Sequence, residues 1–216
     1  MKQFLIRQVP FLGPYVLLWL IVAIVQLFIG QSEVILFING RWNPWSDVAF
    51  RYATFVGDNL FVIVVALLLL LYSYRKAALV VLSYAISGII VQVLKRYVFV
   101  GIMRPWYALS DTYPLMHTVE GVQIYHNSSF PSGHTTSAFA LFAMLAFISR
   151  PAWAKVLLLL PAVVVAYSRM YLLQHFLIDV HTGSLLGVGT SVLLYYYLQS
   201  YWESHPRAWH QKGLIF

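Results

Sequence analysis

Hydrophobic positions in this chain come in long blocks rather than in the alternation of a half-buried strand or the one-sided stripe of a surface helix. A hydrocarbon core about 30 Å thick takes roughly 20 apolar helical residues, fewer where polar turns complete the crossing. Six blocks meet that need: Pro14 to Ile29, Asn59 to Tyr72, Ala77 to Leu94, Thr135 to Ser149, Trp153 to Tyr171 and Val180 to Leu198. Between the first two, "INGRWNPWSDVAFRYATFVGD" mixes charges with aromatic residues, the pattern of an interfacial helix preceded by a turn. The expected fold class is all-α: a six-transmembrane helical bundle with short interfacial helices in the extracytoplasmic loops.

Composition supports this reading. The 216 residues are 61% hydrophobic and 10% charged, far from the roughly half-apolar usage of soluble domains. No Pro/Ser-rich linker or low-complexity run divides the blocks, so residues 1–216 are expected to form a single integral membrane domain with no soluble domain appended. Lys2 and Arg7 precede an apolar run as in a signal peptide, but that run extends from about Val9 to Ile29 without a convincing small-residue cleavage site and reads as a membrane helix. With no cysteine, disulfides, thiolate metal sites and a cysteine nucleophile are excluded.

An even number of spans puts both termini on one side. Lys2, Arg7, Arg75, Lys76, Arg150, Lys155, Arg207 and Lys212 fall at the termini or after spans two and four, which marks that face as cytoplasmic. The other cations, Arg41, Arg51, Lys95, Arg96, Arg104 and Arg169, lie toward the opposite face with nearly all the acids. The net charge of +7 lacks basic stripes on polar surface, so anionic lipid is expected as partner and nucleic acid is not. Protein partners are not specified by the sequence. "GSLLG", Gly183 to Gly187, is a small-residue pattern that allows close helix packing in span six.

Three polar clusters return to the extracytoplasmic face. In "LKRYVFVGIMRPW", Lys95 and Arg96 fit either snorkelling at a helix end or ligand binding, whereas Arg104 before Pro105 offers a planar guanidinium suited to phosphate. In "FPSGHTTSAF", Pro131, Ser132 and Gly133 open a helix whose free amides form an anion seat, and His134 stands beside it where a proton donor to a phosphate ester would be needed. In "SRMYLLQHFLID", His175 and Asp179 are four apart, on one face if helical, so the carboxylate can hold one ring nitrogen and leave the other as a nucleophile. Arg169 lies six residues before His175 and reaches the same anion only through a bend or its long side chain. Ionisable groups at membrane depth point to function by default.

Arg104-Pro105, "PSGH" at 131–134, and Ser168-Arg169 followed by five residues, His175, three residues and Asp179 resemble the three signatures of the type 2 phosphatidic acid phosphatase superfamily, which includes bacterial lipid phosphatases. The first signature departs from the family pattern, in which a lysine precedes Arg-Pro with six residues between: position 97 is Tyr97. Lys95 through a longer turn, Arg96 as a substitute, or neither can fill that place; Lys95 is the expected one.

The resemblance implies that His175 attacks phosphorus and forms a phosphohistidine, Asp179 orients it, and His134 protonates the leaving oxygen and then activates water. Lys95, Arg104, Ser132, Gly133 and Arg169 would bind the phosphoryl oxygens, with no metal and no cofactor. The implied substrate is a lipid phosphate in the bilayer: undecaprenyl diphosphate first, with phosphatidylglycerol phosphate, phosphatidic acid or a lipid A phosphate as the others. The implied location is a bacterial inner membrane, the site facing the periplasm or exterior. A phosphotransferase using the same phosphohistidine, or a lipid transporter or flippase lined by the buried charges, are the alternatives. Vanadium haloperoxidases share the signatures but are soluble. His117, His126 and His181 are expected outside the site.

Overall fold

In the computed structural model residues 2–215 are described, with the side chains of Lys2, one of the cations counted toward the cytoplasmic face, and Gln211 outside that description. Among the described residues all regular structure is helical. The elements are α1 (Lys2–Phe28), α2 (Gln31–Asn39), α3 (Pro44–Ala53), α4 (Asn59–Tyr72), α5 (Tyr74–Val93), α6 (Pro105–Leu109), α7 (Gly133–Ile148), α8 (Ala152–Leu157), α9 (Leu159–Tyr171) and α10 (Leu177–Ser204). A 3-10 turn, Thr54–Gly57, joins α3 to α4, a π turn, Leu94–Val98, extends α5, and a second 3-10 turn, Ala208–Gln211, follows α10.

Each of the six apolar blocks is helical; the second coincides with α4 and the others have shifted ends. The first helix starts at Lys2 and runs through Pro10 and Pro14, a tolerance that membrane helices show when neighbours satisfy the freed carbonyls. The fifth block breaks at Leu158 into α8 and α9. Pro161 has no amide to bond the Leu157 carbonyl one turn back, which explains an interruption there.

Four helical stretches are long and apolar enough to cross a bilayer: Gln3–Phe28, Tyr74–Val98, Ala152–Tyr171 and Leu177–Ser204. A fifth is reached if Pro44–Gly57 and Asn59–Tyr72, bent by 55°, count as one crossing. α7, with 16 residues, is shorter, about 24 Å.

α7 is the hub. Phe139, Leu141, Met144 and Ala143 on it are buried against α5, α9 and α10. The "GSLLG" pattern lies on this contact: a Cβ at Gly187 would lie 2.5 Å from the Thr136 carbonyl oxygen and one at Gly183 would lie 2.8 Å from that of Ser132. Lipid tails are as apolar as leucine, so close packing and polar links must hold such helices together. One link is Ser191, whose hydroxyl lies 2.7 Å from Ser83 Oγ on α5 and donates to the Ala140 carbonyl on α7 at 3.0 Å. This packing brings the start of α7, the end of α9, the start of α10 and the end of α5 to one end of the bundle.

Candidate active site

The turn between α9 and α10 organises this end. α9 closes in a Schellman arrangement: the Gln174 amide donates to the Arg169 carbonyl at 3.0 Å and the Leu173 amide to that of Met170 at 3.0 Å, with Leu173 left-handed at φ 54°. The chain reverses at once, and the His175 amide also donates to the Arg169 carbonyl, at 3.2 Å. His175 thus sits in the turn, not on a helix shared with Asp179, which corrects the helical i, i+4 expectation. The bend that Arg169 needed is this reversal.

Asp179 occupies the first turn of α10 and gathers donors on a single oxygen. Its Oδ2 accepts from Ser129 Oγ at 2.5 Å and from the Phe176 amide at 2.9 Å, and lies 3.3 Å from His175 Nδ1. Both residues are 1% exposed. A carboxylate can only accept, so Nδ1 carries the proton and Nε2 is left with its lone pair. Burial, and after it the charges of Arg169, Arg104 and Lys95, hold the His175 pKa well below its ordinary 6.5. At rest the ring is neutral and nucleophilic.

Around it lies a cleft of about 780 Å³ whose wall includes Lys95, Arg104, Gly133, His134, Arg169 and His175. The three clusters therefore meet. Ser132 lies beneath the wall, fully buried, and caps α7: its Oγ accepts from the Thr135 amide at 3.4 Å and from the Thr135 hydroxyl at 2.9 Å, which leaves its own proton to donate. The amides that open α7 are oriented for an anion. Arg104 Nε donates to the Asn127 carbonyl at 3.1 Å, and its Nη1 donates to Gln174 Oε1. Lys95 Nζ donates to the Ser128 carbonyl at 2.7 Å. The π turn that carries Lys95 and Arg96 supplies the longer turn that the first cluster required; Arg96 also borders the cleft but is exposed.

Arg169 is 6% exposed and its Nη1 donates to Thr54 Oγ1 at 2.7 Å, while its Nε is buried without a hydrogen-bond partner. An orphaned charged donor costs several times a normal hydrogen bond unless a ligand accepts from it. Among the described residues no group of three or more His, Cys, Asp or Glu side chains is arranged to hold a metal ion. Lys95, Arg96, Arg104 and Arg169 all border this one cleft, an arrangement suited to an anion.

A model of the PAP2 superfamily matches residues 76–203, a stretch that contains all three clusters. The chain belongs to the PAP2 superfamily. Among PAP2 relatives, the undecaprenyl-diphosphatase of Sulfolobus acidocaldarius is 31% identical over 130 residues, 60% of this chain and 59% of that protein. The lipid A 4'-phosphatase of Bacteroides thetaiotaomicron is 25% identical over 78% of this chain and 76% of that one. The crystal structure of Aquifex aeolicus LpxE aligns with a TM-score of 0.65 at 27% identity, covering 76% of this chain and 94% of that one.

Sequence reasoning missed three supporting side chains and one glycine. Ser129 stands just before "FPSGH", and Gln174, 1% exposed, stands just before His175 and links Arg104 to the Gln123 carbonyl at 3.0 Å; proximity to the signatures was the available signal. Thr54 and Gly57 lie outside the matched stretch and carry no such signal. A Cβ at Gly57 would lie 2.8 Å from the His134 carbonyl oxygen, so glycine lets this turn press against α7. His117, paired with Asp47 at 2.9 Å, and His181, between Gln26 and the Trp19 carbonyl, do not border the cleft; neither does His126, which contacts Asn127.

Proposed function

We propose that this PAP2 chain is a membrane lipid phosphatase that works through a phosphohistidine on His175 and needs no metal or cofactor. The observation that carries the proposal is the unpartnered Nε of Arg169 in a cleft shared with a neutral His175. A phosphoryl oxygen is the acceptor that Nε lacks.

His134 takes up a proton as the anionic substrate offsets the cations of the cleft; His175 Nε2 then attacks phosphorus and the bond to the leaving oxygen breaks as His134 gives it that proton, while Asp179 stabilises the cation formed on the ring. His134 then takes a proton from water, whose oxygen attacks the phosphohistidine and releases phosphate. Arg104, Arg169, Lys95, Ser132 and the amide of Gly133 hold the equatorial oxygens, the electrostatic share of the catalysis. The three cations among them supply the charge that a metal supplies elsewhere.

The substrate is a lipid phosphate or diphosphate. The cleft continues down α5 to Tyr84, whose hydroxyl donates to Asn59 Oδ1 at 2.5 Å, so a tail can remain among lipids while the head is read above. The Sulfolobus relative supports undecaprenyl diphosphate as first choice. In this reading the chain is one domain with six spans, α4 with its bent prefix and α7 being the two beyond the four long ones. Both termini are cytoplasmic and the cleft faces the exterior of a bacterial inner membrane. Cations gathered at one end support catalysis over a transport pathway.

The test is phosphate release from undecaprenyl diphosphate, phosphatidylglycerol phosphate, phosphatidic acid and lipid A by the purified chain, with and without chelator. The expected result is release unaffected by chelator, inhibited by vanadate, and about 10⁴-fold lower or less in His175→Ala. Unchanged release in His175→Ala, or loss in chelator restored by a divalent metal, contradicts it.

A further inference from the structure

The opposite end of the bundle holds a second charged cavity, of about 330 Å³, lined by Ser73, Arg75, Lys76, Arg150, Gln199 and His210 among others. The full length of α5, about 30 Å, separates it from Lys95. Nothing in the phosphatase reading uses it.

Arg75 and Lys76 stand in the first turn of α5, which has no acidic residue. Cations there oppose the positive end of the helix dipole, an arrangement that an anion reverses. Two buried polar atoms of the cavity residues have no hydrogen-bond partner: an Arg75 terminal nitrogen, Nη2, and His210 Nε2. His210 is 8% exposed, and its Nδ1 accepts from the Arg207 amide at 3.2 Å. In the neutral ring the proton is then on Nε2, so both orphans are donors.

The cavity is built rather than incidental. The C-terminal segment is tied across the α4–α5 corner: the Tyr74 amide donates to the Lys212 carbonyl at 2.9 Å, and the Leu214 and Ile215 amides donate to Leu70 and Leu71 at 3.2 and 3.0 Å. Trp209 packs edge-on against Trp202, over which the Arg75 guanidinium lies at 5.5 Å. Glu203, the carboxylate at this end of α10, accepts from Gln199 Nε2 at 2.7 Å. Among the described residues the ion pairs are His117–Asp47 and His175–Asp179, neither of them here.

We propose that this pocket binds a phosphate-bearing anion at the end of the bundle opposite the catalytic cleft. Arg75 supplies a planar donor fork, Lys76 and Arg150 supply charge, and His210 supplies one neutral donor. A phospholipid headgroup of the adjacent leaflet and free inorganic phosphate present the same oxygens; anionic headgroups are concentrated where polybasic segments meet the cytoplasmic leaflet.

The test uses the full chain in detergent, with Arg75→Gln/Arg150→Gln compared against Arg104→Gln, which alters only the cleft. Native mass spectrometry scores retained phosphatidylglycerol against phosphatidylcholine, and thermal unfolding scores inorganic phosphate. The lipid form predicts preferential phosphatidylglycerol retention that falls about tenfold or more in the double variant and persists in Arg104→Gln. The free-anion form predicts no lipid preference, but a phosphate-dependent rise in unfolding temperature that persists in Arg104→Gln, where the cleft is weakened, and is lost when Arg75→Gln/Arg150→Gln is added to that variant. If the double variant binds both ligands as the unaltered chain does, or if the unaltered chain binds neither, the proposal is overturned. Lipid-phosphate hydrolysis by the double variant reports its folding; His210→Ala, which removes one neutral donor, carries the same readout with a loss of about two- to fivefold if the double variant does not fold.

Discussion

The proposed role of His175 as nucleophile rests on what surrounds it rather than on its own chemistry. Two donors besides the imidazole, Ser129 Oγ and the Phe176 amide, converge on one oxygen of Asp179, so the carboxylate is fixed independently of the ring, and Nδ1 must be the protonated nitrogen. Burial, and after it the cations that would hold a phosphoryl group, keep the ring neutral. Because the folded-state pKa lies below the ordinary 6.5, protonation of His175 is resisted as pH falls, and the unfolded chain takes up that proton first. Stability linked to this group is therefore complete above 6.5 and is lost progressively below it. Histidine-labelled NMR, with His175 assigned by its loss in His175→Ala, should show a titration midpoint below 6.5; a midpoint at or above that value contradicts the electrostatic account. The pairing of His175 with Asp179 was legible from spacing alone. Ser129 and Gln174 were not, because a serine and a glutamine beside a motif have no periodicity that distinguishes a buried donor from a loop residue.

At the scale of elements, the helices were legible because their apolar blocks are long, and the turns that build the site were not. Leu173 occupies the left-handed position where glycine usually marks a helix end, so nothing between Tyr171 and Val180 marks the tight reversal that places His175 in a turn rather than on the helix of Asp179. The π turn at Leu94–Val98 likewise has no sequence signature, although it explains how Lys95 comes to border the cleft with eight residues before Arg104. The least legible element is the turn Thr54–Gly57. It lies in a segment whose charges and aromatics suggested only an interface, yet it supplies the hydroxyl that fixes Arg169 and the glycine that admits it between α7 and α9. Thr54→Val keeps the shape and deletes the hydrogen bond. It should lower kcat/KM about 10- to 100-fold, the value of a buried bond to a charged group, with little change in unfolding temperature. Unaltered kcat/KM would show that Arg169 does not depend on this turn.

For the whole molecule, charge asymmetry sets the orientation. Arg75, Lys76, Arg150 and His210 meet at one end, and Lys95, Arg104 and Arg169 at the other. In the proposed six-span topology the first group lies in the cytoplasm. The absence of cysteine makes the chain ready for single-cysteine labelling: Ser73→Cys and Lys212→Cys should be shielded from an impermeant maleimide in intact cells, and Asp111→Cys and Tyr113→Cys should react. Reaction of both pairs from outside, or of neither, would break the topology and with it the side assigned to the cleft.

The central claim is a covalent bond between His175 and phosphorus. Rapid quenching of the purified chain turning over a radiolabelled lipid phosphate, followed by peptide mapping, tests it directly. The account predicts an acid-labile, base-stable phosphoryl group on His175 that appears before free phosphate and is lost in His175→Ala. Label on another residue, or phosphate release at full rate with no label trapped at any time, would contradict it.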